Sequence, residues 1–191
     1  MKIEQFVMAY RVEQDRLRAM LPEGFISLRP VLRINTEIRT EKQKTVYLEL
    51  NTPVEGFGKR GWLNIAHWDS LSYEKNGTST TFRSSFLDIT YTGLGTIGGC
   101  PAEKDNDGCF FGDDFVPAEK IEQNKEYCNC KFQWKFAETD AHGVSTDGKS
   151  IPAIPAEQQH VYEKQELTPE NAAAIPCEQV LGAYAVTFER K

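Results

Sequence analysis

Apolar and polar side chains alternate in short runs along much of this chain, the period of two that a half-buried strand imposes. Residues 31–39 show it most clearly: Leu32, Ile34 and Thr36 take one side, and Arg33, Asn35, Glu37 and Arg39 take the other. Residues 6–12 are apolar and partly alternating, and residues 45–50 and 61–68 read as further strands. The charged segment 41–44 joins two of them as a hairpin. Asn76-Gly77, between segments 70–73 and 78–82, is a stronger hairpin signal, because both residue types accept positive φ. Segments 85–92, 125–137 and 182–189 complete the strands, the last one alternating. Helical spacing is confined to two short pieces. Asp15 opens the first, Leu17, Met20 and Leu21 form its apolar face, and Pro22 and Gly24 end it. Thr168 as N-cap and Pro169 at the first helical position open the second, which runs through Ala174. The Gly- and Asp-rich stretch 93–118 reads as a long loop, 146–149 as a turn, and 151–155 as proline-interrupted. The pattern predicts an α+β, β-dominated chain with antiparallel strands and a few short helices.

Composition narrows what such a chain does. Its 191 residues fit one domain, residues 1–191, with a core large enough to hold without staples. Twenty-eight acidic residues outnumber 22 basic ones, and no Lys/Arg stripe forms, so nucleic acid is not expected as a partner. No apolar run approaches the roughly 20 residues of a membrane helix, so no membrane partner is expected either. The first ten residues lack the basic region and apolar run of a signal peptide, which predicts a cytoplasmic protein. Five cysteines, an odd number, then read as reduced thiols. Their spacings, C-x8-C and C-x-C without a nearby histidine, do not suit zinc. Asp105-Asn106-Asp107-Gly108 falls short of a calcium loop and reads as a turn with solvated charges. No metal and no cofactor are expected. His67, beside Trp68, reads as a packed strand histidine, and Cys100 has no base to activate it.

Both ends of the chain carry a resemblance. Tyr10-Arg11-Val12, then Asp15, Leu17-Arg18, Leu21-Pro22-Glu23-Gly24-Phe25 and Pro30-Val31-Leu32-Arg33, resemble the opening of the acetoacetate decarboxylase family. The segment Ile175-Pro176-Cys177-Glu178-Gln179-Val180-Leu181-Gly182-Ala183-Tyr184 is similar to that family's closing motif and last strand. Gly99-Cys100-Pro101 lies near the place of its lysine-pair motif. The resemblance covers roughly the first 50 residues, a patch near 100 and the last 20. It implies a closed or nearly closed antiparallel β-barrel or cone, flanked by short helices, with a pocket inside, and a homo-oligomer of such units.

The family's chemistry does not carry over intact. A neutral lysine amine attacks the ketone of a β-keto acid, and the resulting iminium accepts the electrons released as CO2 leaves. The two family lysines map to Ala102 and Glu103. Alanine forms no Schiff base, and a glutamate raises the pKa of a neighbouring lysine. Lys104, one residue later, is the candidate catalytic residue if the loop is shifted. One family acid maps to Asn35, with Glu37 two residues on and on the same side; another maps to Glu49 in Tyr47-Leu48-Glu49; an expected arginine falls near Ile3 and is missing. The candidate substrate-binding residues are Glu49, Asn35, Glu37 and Arg33, with Glu37 and Arg33 facing each other across the pocket mouth. The function implied is binding of a small anionic or carbonyl-bearing organic molecule in a central pocket. The alternatives are a Schiff-base decarboxylase or lyase acting through Lys104, and a non-catalytic ligand-binding or assembly module.

Overall fold

The computed structural model describes residues 1–97, 109–111, 116–117, 125–144 and 160–191. The alternating segments become strands, most of them longer than the pattern predicts. β1 (Lys2–Arg11), β3 (Val31–Thr40), β4 (Lys44–Gly56) and β5 (Lys59–Trp68) are the long members of one sheet, and β14 (Gln179–Glu189) is the fifth. The short strands β2 (Phe25–Ser27), β9 (Cys109–Phe111), β10 (Val116–Pro117) and β11 (Glu126–Tyr127) join them in the order β10-β9-β5-β4-β3-β1-β14-β11, with β2 paired to β4. A second sheet follows the order β13-β12-β8-β7-β6, made of β6 (Ser72–Asn76), β7 (Ser79–Arg83), β8 (Leu87–Thr92), β12 (Asn129–Trp134) and β13 (Thr139–Val144). Gly77, at φ 57, makes the β6–β7 turn that Asn76-Gly77 predicts.

Pairing is antiparallel except between β5 and β9, which run parallel. Two of the described strands, β9 and β10, fall within the stretch that reads as one loop in the sequence. Residues 125–137, read as a single strand, divide into β11 and β12, and β12 then turns back into β13. β4 continues past Leu50 through Pro53. There its pairing with β3 has ended and β2 takes over, and Leu28 N–H donates to the Pro53 carbonyl at 3.0 Å. The proline cannot return an N–H bond to Leu28, and it stands at the junction where the ladder changes partner. Among the described residues no strand pair closes either sheet into a barrel.

The two sheets share one core. Phe6, Met8, Tyr10, Leu32, Ile34, Ile38, Leu48 and Leu50 from the larger sheet meet Phe82, Leu87, Ile89, Tyr91, Phe132 and Trp134 from the smaller one. Phe6 sits 5.2 Å from Phe82 and 5.3 Å from Tyr91 between ring centres, and Tyr10 lies 4.7 Å from Phe132. Trp134 Nε1 donates to the Tyr10 hydroxyl at 3.1 Å, which satisfies the indole in an otherwise apolar layer.

The helices are as short as the sequence predicts. In α1 (Gln14–Met20), Asp15 stands inside the first turn rather than capping it, and Glu13 is the N-cap without a side-chain cap bond. Asp15 instead accepts from Arg18 Nη1 at 2.5 Å and from the backbone N–H of His160 at 2.6 Å, tying His160 to the helix. In α2 (Pro169–Ala173), Thr168 caps as predicted, accepting from Asn171 N–H at 3.1 Å. No helix among the described residues is long and apolar enough to cross a membrane.

Candidate functional site

The far face of the larger sheet is built by the other half of the alternation. β3 presents Arg33, Asn35, Glu37 and Arg39 there because Leu32, Ile34 and Ile38 occupy the core side. Antiparallel register sets Asn35 opposite Glu49, Arg33 opposite Asn51 and Glu37 opposite Tyr47. On the next strand Glu49 stands opposite His67 and Pro53 opposite Trp62. On the other flank Asn35 meets Val7, and Glu37 meets Gln5. Ile3, Val7, Tyr184, Val186 and Phe188 form a buried apolar wing beside the polar strip.

Glu49 is the centre of the strip. Its Oε1 accepts from Asn35 Nδ2 at 3.0 Å and from Asn51 Nδ2 at 3.1 Å, and its Oε2 accepts from the Tyr47 hydroxyl at 3.0 Å. Arg33 Nη2 stands 3.9 Å from Oε1, and Arg33 Nε donates to Asn51 Oδ1 at 2.9 Å. The side chains of Arg33 and Glu49 are only 5% and 8% exposed. A carboxylate at that depth is stable only with its lone pairs occupied, and three donors and a cation occupy them here. Burial first, and then the neighbouring Glu49 carboxylate, push the Tyr47 phenol well above its ordinary pKa, so it keeps its proton and remains a donor.

A second cluster lies two residues along β3. Glu37 Oε2 accepts from Arg39 Nε at 2.7 Å, and Arg190 Nη1 and Nη2 reach Oε2 and Oε1 at 3.0 and 2.9 Å. Burial by itself would raise the Glu37 pKa, but the bonds and charge of Arg190 and Arg39 outweigh it and hold the carboxyl below its ordinary range. The two clusters meet at Tyr47, whose ring lies 3.8 Å beneath the Arg39 guanidinium and stacks on His67 at 5.9 Å. Arg33 stacks over Trp62 at 3.9 Å. Among the described residues the strip holds Arg33, Arg39 and Arg190, with Arg29 5.8 Å over the same Trp62 ring, against two glutamates, Glu37 and Glu49. Among the described residues Asn35 Oδ1, Gln5 Oε1 and Trp62 Nε1 are buried on this face without a hydrogen-bond partner. Each such atom costs about 1–3 kcal/mol in a folded protein, a cost that a site can carry when a bound molecule meets it.

No family model matches the sequence, and no curated protein matches it. Solved structures do match the coordinates. Acetoacetate decarboxylase from Legionella pneumophila superposes over 98% of this chain and 81% of its own, at 14% identity and a TM-score of 0.56. The fold is that of acetoacetate decarboxylase. A second acetoacetate decarboxylase structure matches over 97% of this chain and 84% of its own, at 12% identity and a TM-score of 0.54. An acetoacetate decarboxylase-like enzyme from Sphingomonas wittichii matches over 97% of this chain and 87% of its own, at 9% identity and a TM-score of 0.52.

On this acetoacetate decarboxylase-like fold, the residues singled out in the sequence fall as follows. Glu49 and Asn35 are bonded to each other, and Arg33 joins them through Asn51. Glu37 shares their face but belongs to the neighbouring cluster. Arg33 and Glu37 do not face each other as a pair, because Arg33 turns to Asn51 and Trp62 while Glu37 turns to Arg39 and Arg190. His67 is exposed and stacked on Tyr47 rather than packed in the core. Lys104, with Ala102, Glu103 and Cys100, lies outside the described residues. Cys128, Cys130 and Cys177 are not in disulfides, and no group of His, Cys, Asp and Glu among the described residues could hold a metal. A hollow of ≈ 370 Å³ lined by residues 133–138 lies at the β12–β13 turn, in the other sheet, and touches none of the polar strip.

Sequence reasoning missed Asn51, Trp62, Gln5 and Arg190. Asn51 carries a usable signal, being two residues after Glu49 and so on the same side of a strand, but the strand read from the sequence stops at Leu50. Arg190 carries none, since it reaches Glu37 from 153 residues away.

Proposed function

We propose that this chain binds a small anionic or carbonyl-bearing organic molecule against the polar strip on the far face of its larger sheet, in a central pocket enclosed where that sheet itself curls toward the closed or nearly closed cone of the acetoacetate decarboxylase-like fold. The observation that carries the reading is the buried Glu49 network: a carboxylate with three donors, bonded to Asn35 and linked through Asn51 and Arg33 to Trp62, where Asn35 and Trp62 keep polar atoms without partners among the described residues, on a face with more arginines than glutamates. Buried polar atoms without partners are rare in native proteins and mark places where something else completes the bonding. The positive excess favours an anion; at an effective dielectric of 20, each guanidinium about 4 Å from a carboxylate attracts it by about 4 kcal/mol before desolvation. Glu49 in this reading orients Asn35 and Asn51, and Arg33 supplies charge.

Decarboxylation by the lysine route is not part of it. Ala102 and Glu103 stand where the amines belong by resemblance, and a glutamate next to Lys104 in the sequence favours the charged ammonium over the neutral amine the route needs. The Schiff-base alternative through Lys104 draws support from the fold alone, and fold does not determine chemistry. A cytoplasmic homo-oligomer completes the proposal, to be checked by light scattering.

The test is calorimetric titration of the full chain with lactate, pyruvate, 3-hydroxybutyrate and acetoacetate, followed by borohydride treatment of the keto acid samples and intact-mass measurement. Saturable binding without a covalent adduct is expected. An adduct and CO2 release that both vanish in Lys104→Ala would replace this reading by the lyase alternative. No binding of any of the four acids would overturn it.

A further inference from the structure

Two polar atoms of the strip narrow the ligand class, given the binding function proposed above. Asn35 Nδ2 donates to Glu49 Oε1 at 3.0 Å. A carboxylate accepts only, so turning the amide over would set carbonyl against carboxylate. Asn35 Oδ1 is thereby fixed as an acceptor. The residue is 4% exposed, and among the described residues this oxygen has no partner. Trp62, also 4% exposed, has the opposite need: its indole N–H can only donate, and it too has no partner among the described residues. Its ring is held by Arg33, whose guanidinium carbon stands 3.9 Å over it. The two residues belong to one connected set that runs from Asn35 through Glu49, Asn51 and Arg33 to Trp62.

We infer that the ligand is a small hydroxycarboxylate, whose hydroxyl donates to Asn35 Oδ1 and whose carboxylate accepts from Trp62 Nε1. An ionised keto acid carries acceptors only. It would satisfy Trp62 and leave the Asn35 oxygen facing another acceptor. An amino group would supply the donor, but as an ammonium it would add positive charge to a face where, among the described residues, arginines already outnumber glutamates. Within the connected set the other acceptors already hold donors: the Asn51 oxygen takes Arg33 Nε, Glu49 Oε1 takes Asn35 and Asn51, and Glu49 Oε2 takes Tyr47, which leaves Asn35 Oδ1 as the acceptor of the set without a donor among the described residues. A site built to bond a hydroxyl discriminates strongly against the analogue that lacks it, since the analogue leaves a buried polar atom unpaired.

The experiment is calorimetry on the full chain with two matched pairs, lactate with pyruvate and 3-hydroxybutyrate with acetoacetate. In at least one pair the hydroxy acid should bind tighter by about tenfold or more. Trp62→Phe keeps a ring beneath Arg33 and removes the N–H. It should weaken both members of that pair by about tenfold and leave their ratio unchanged. Asn35→Leu removes the acceptor and should bring the ratio near one. Circular dichroism melts establish that each variant is folded, and the wild-type ratio decides the matter if one is not. A keto acid that binds as tightly as its hydroxy partner in both pairs overturns this inference and leaves the proposed function standing. A ratio that survives Asn35→Leu also overturns it. If none of the four acids binds, both readings fall together.

Discussion

The two faces of the larger sheet are both buried, but by opposite means. The inner face meets the smaller sheet through rings and aliphatic chains, and the Trp134–Tyr10 bond is the polar link between its large aromatic residues. The outer face buries Arg33, Asn35, Glu37, Glu49 and Asn51, each with no more than 6% of the whole residue exposed, and holds them by hydrogen bonds and charge. The same strands serve both, because β3 alternates one kind of residue with the other. The inner face should be sensitive to volume and indifferent to pH; the outer face should tolerate changes of volume that keep its bonds and fail when a charge or an acceptor is removed. Interiors packed by shape confer stability, whereas buried ionic networks are weak stabilisers when whole and costly when broken. An outer face of this kind is better suited to recognition than to holding the sheet together.

The largest effect is expected from Trp134→Ala. It opens a cavity among Trp68, Phe136 and Tyr10 and leaves the Tyr10 hydroxyl without its donor. A loss of about 5 kcal/mol is expected from urea unfolding, at the upper end for a buried aromatic. Glu49→Leu comes next. It removes the acceptor of Asn35, Asn51 and Tyr47 and leaves Arg33 without its carboxylate neighbour, for about 3–4 kcal/mol. Glu49→Gln retains shape and one acceptor and should cost less than half as much. If Glu49→Leu proves as stable as the wild type, the outer face is not a bonded network and the contrast between the faces is wrong.

How much of this was legible follows from the range over which each feature is encoded. Both faces of β3 can be read from residues 31–39 alone, since alternation is local, and Asn76-Gly77 and Thr168-Pro169 mark a turn and a helix start by local chemistry. Glu49 and Asn35 emerged as candidates through the resemblance, and the register of two neighbouring strands joins them. What is not local was not legible. Arg190 meets Glu37 only because β14 lies beside β1, and β1 beside β3. β13 was hidden because Asp140, His142 and Gly143 lack strand propensity, and pairing to β12 overrides it. Trp62 looked like one more apolar strand residue, and nothing in its neighbours announced an unpartnered N–H.

Glu37 allows the comparison to be sharpened with pH. Arg190 and Arg39 hold its carboxyl below the ordinary range. A group with a lowered folded pKa contributes stability above its unfolded value, about 4.3 for glutamate, and loses it as the pH falls through the folded value. The outer face should therefore weaken on acidification below about pH 4.3. Glu37→Gln should cost about 2 kcal/mol at neutral pH, less than a fully buried pair because both arginines are partly exposed. The difference from wild type should shrink as the pH drops. Urea midpoints across a pH series measure it, and a difference that stays constant from pH 7 to strong acid would show that Glu37 does not act through its charge.

The smallest effect is expected where an ion pair has no burial. Arg60 Nε reaches Glu55 Oε2 at 3.1 Å across the β4–β5 hairpin, with side chains 74% and 42% exposed. Its geometry is close to that of Arg39 with Glu37, at 2.7 Å, so distance alone would rank the two pairs near each other. Solvent separates them. An exposed pair exchanges good hydration for a screened attraction and must restrain two long side chains, and its net worth is about 0–1 kcal/mol. Arg60→Ala should thus change stability by less than about 0.5 kcal/mol and become indistinguishable from wild type in high salt. Arg39→Ala, which uncovers one side of a carboxylate only 3% exposed, should cost several times more and keep most of that cost in salt. Equal losses for the two variants would mean that burial does not set the strength of the charges on this sheet, and the division between its faces would lose its physical basis.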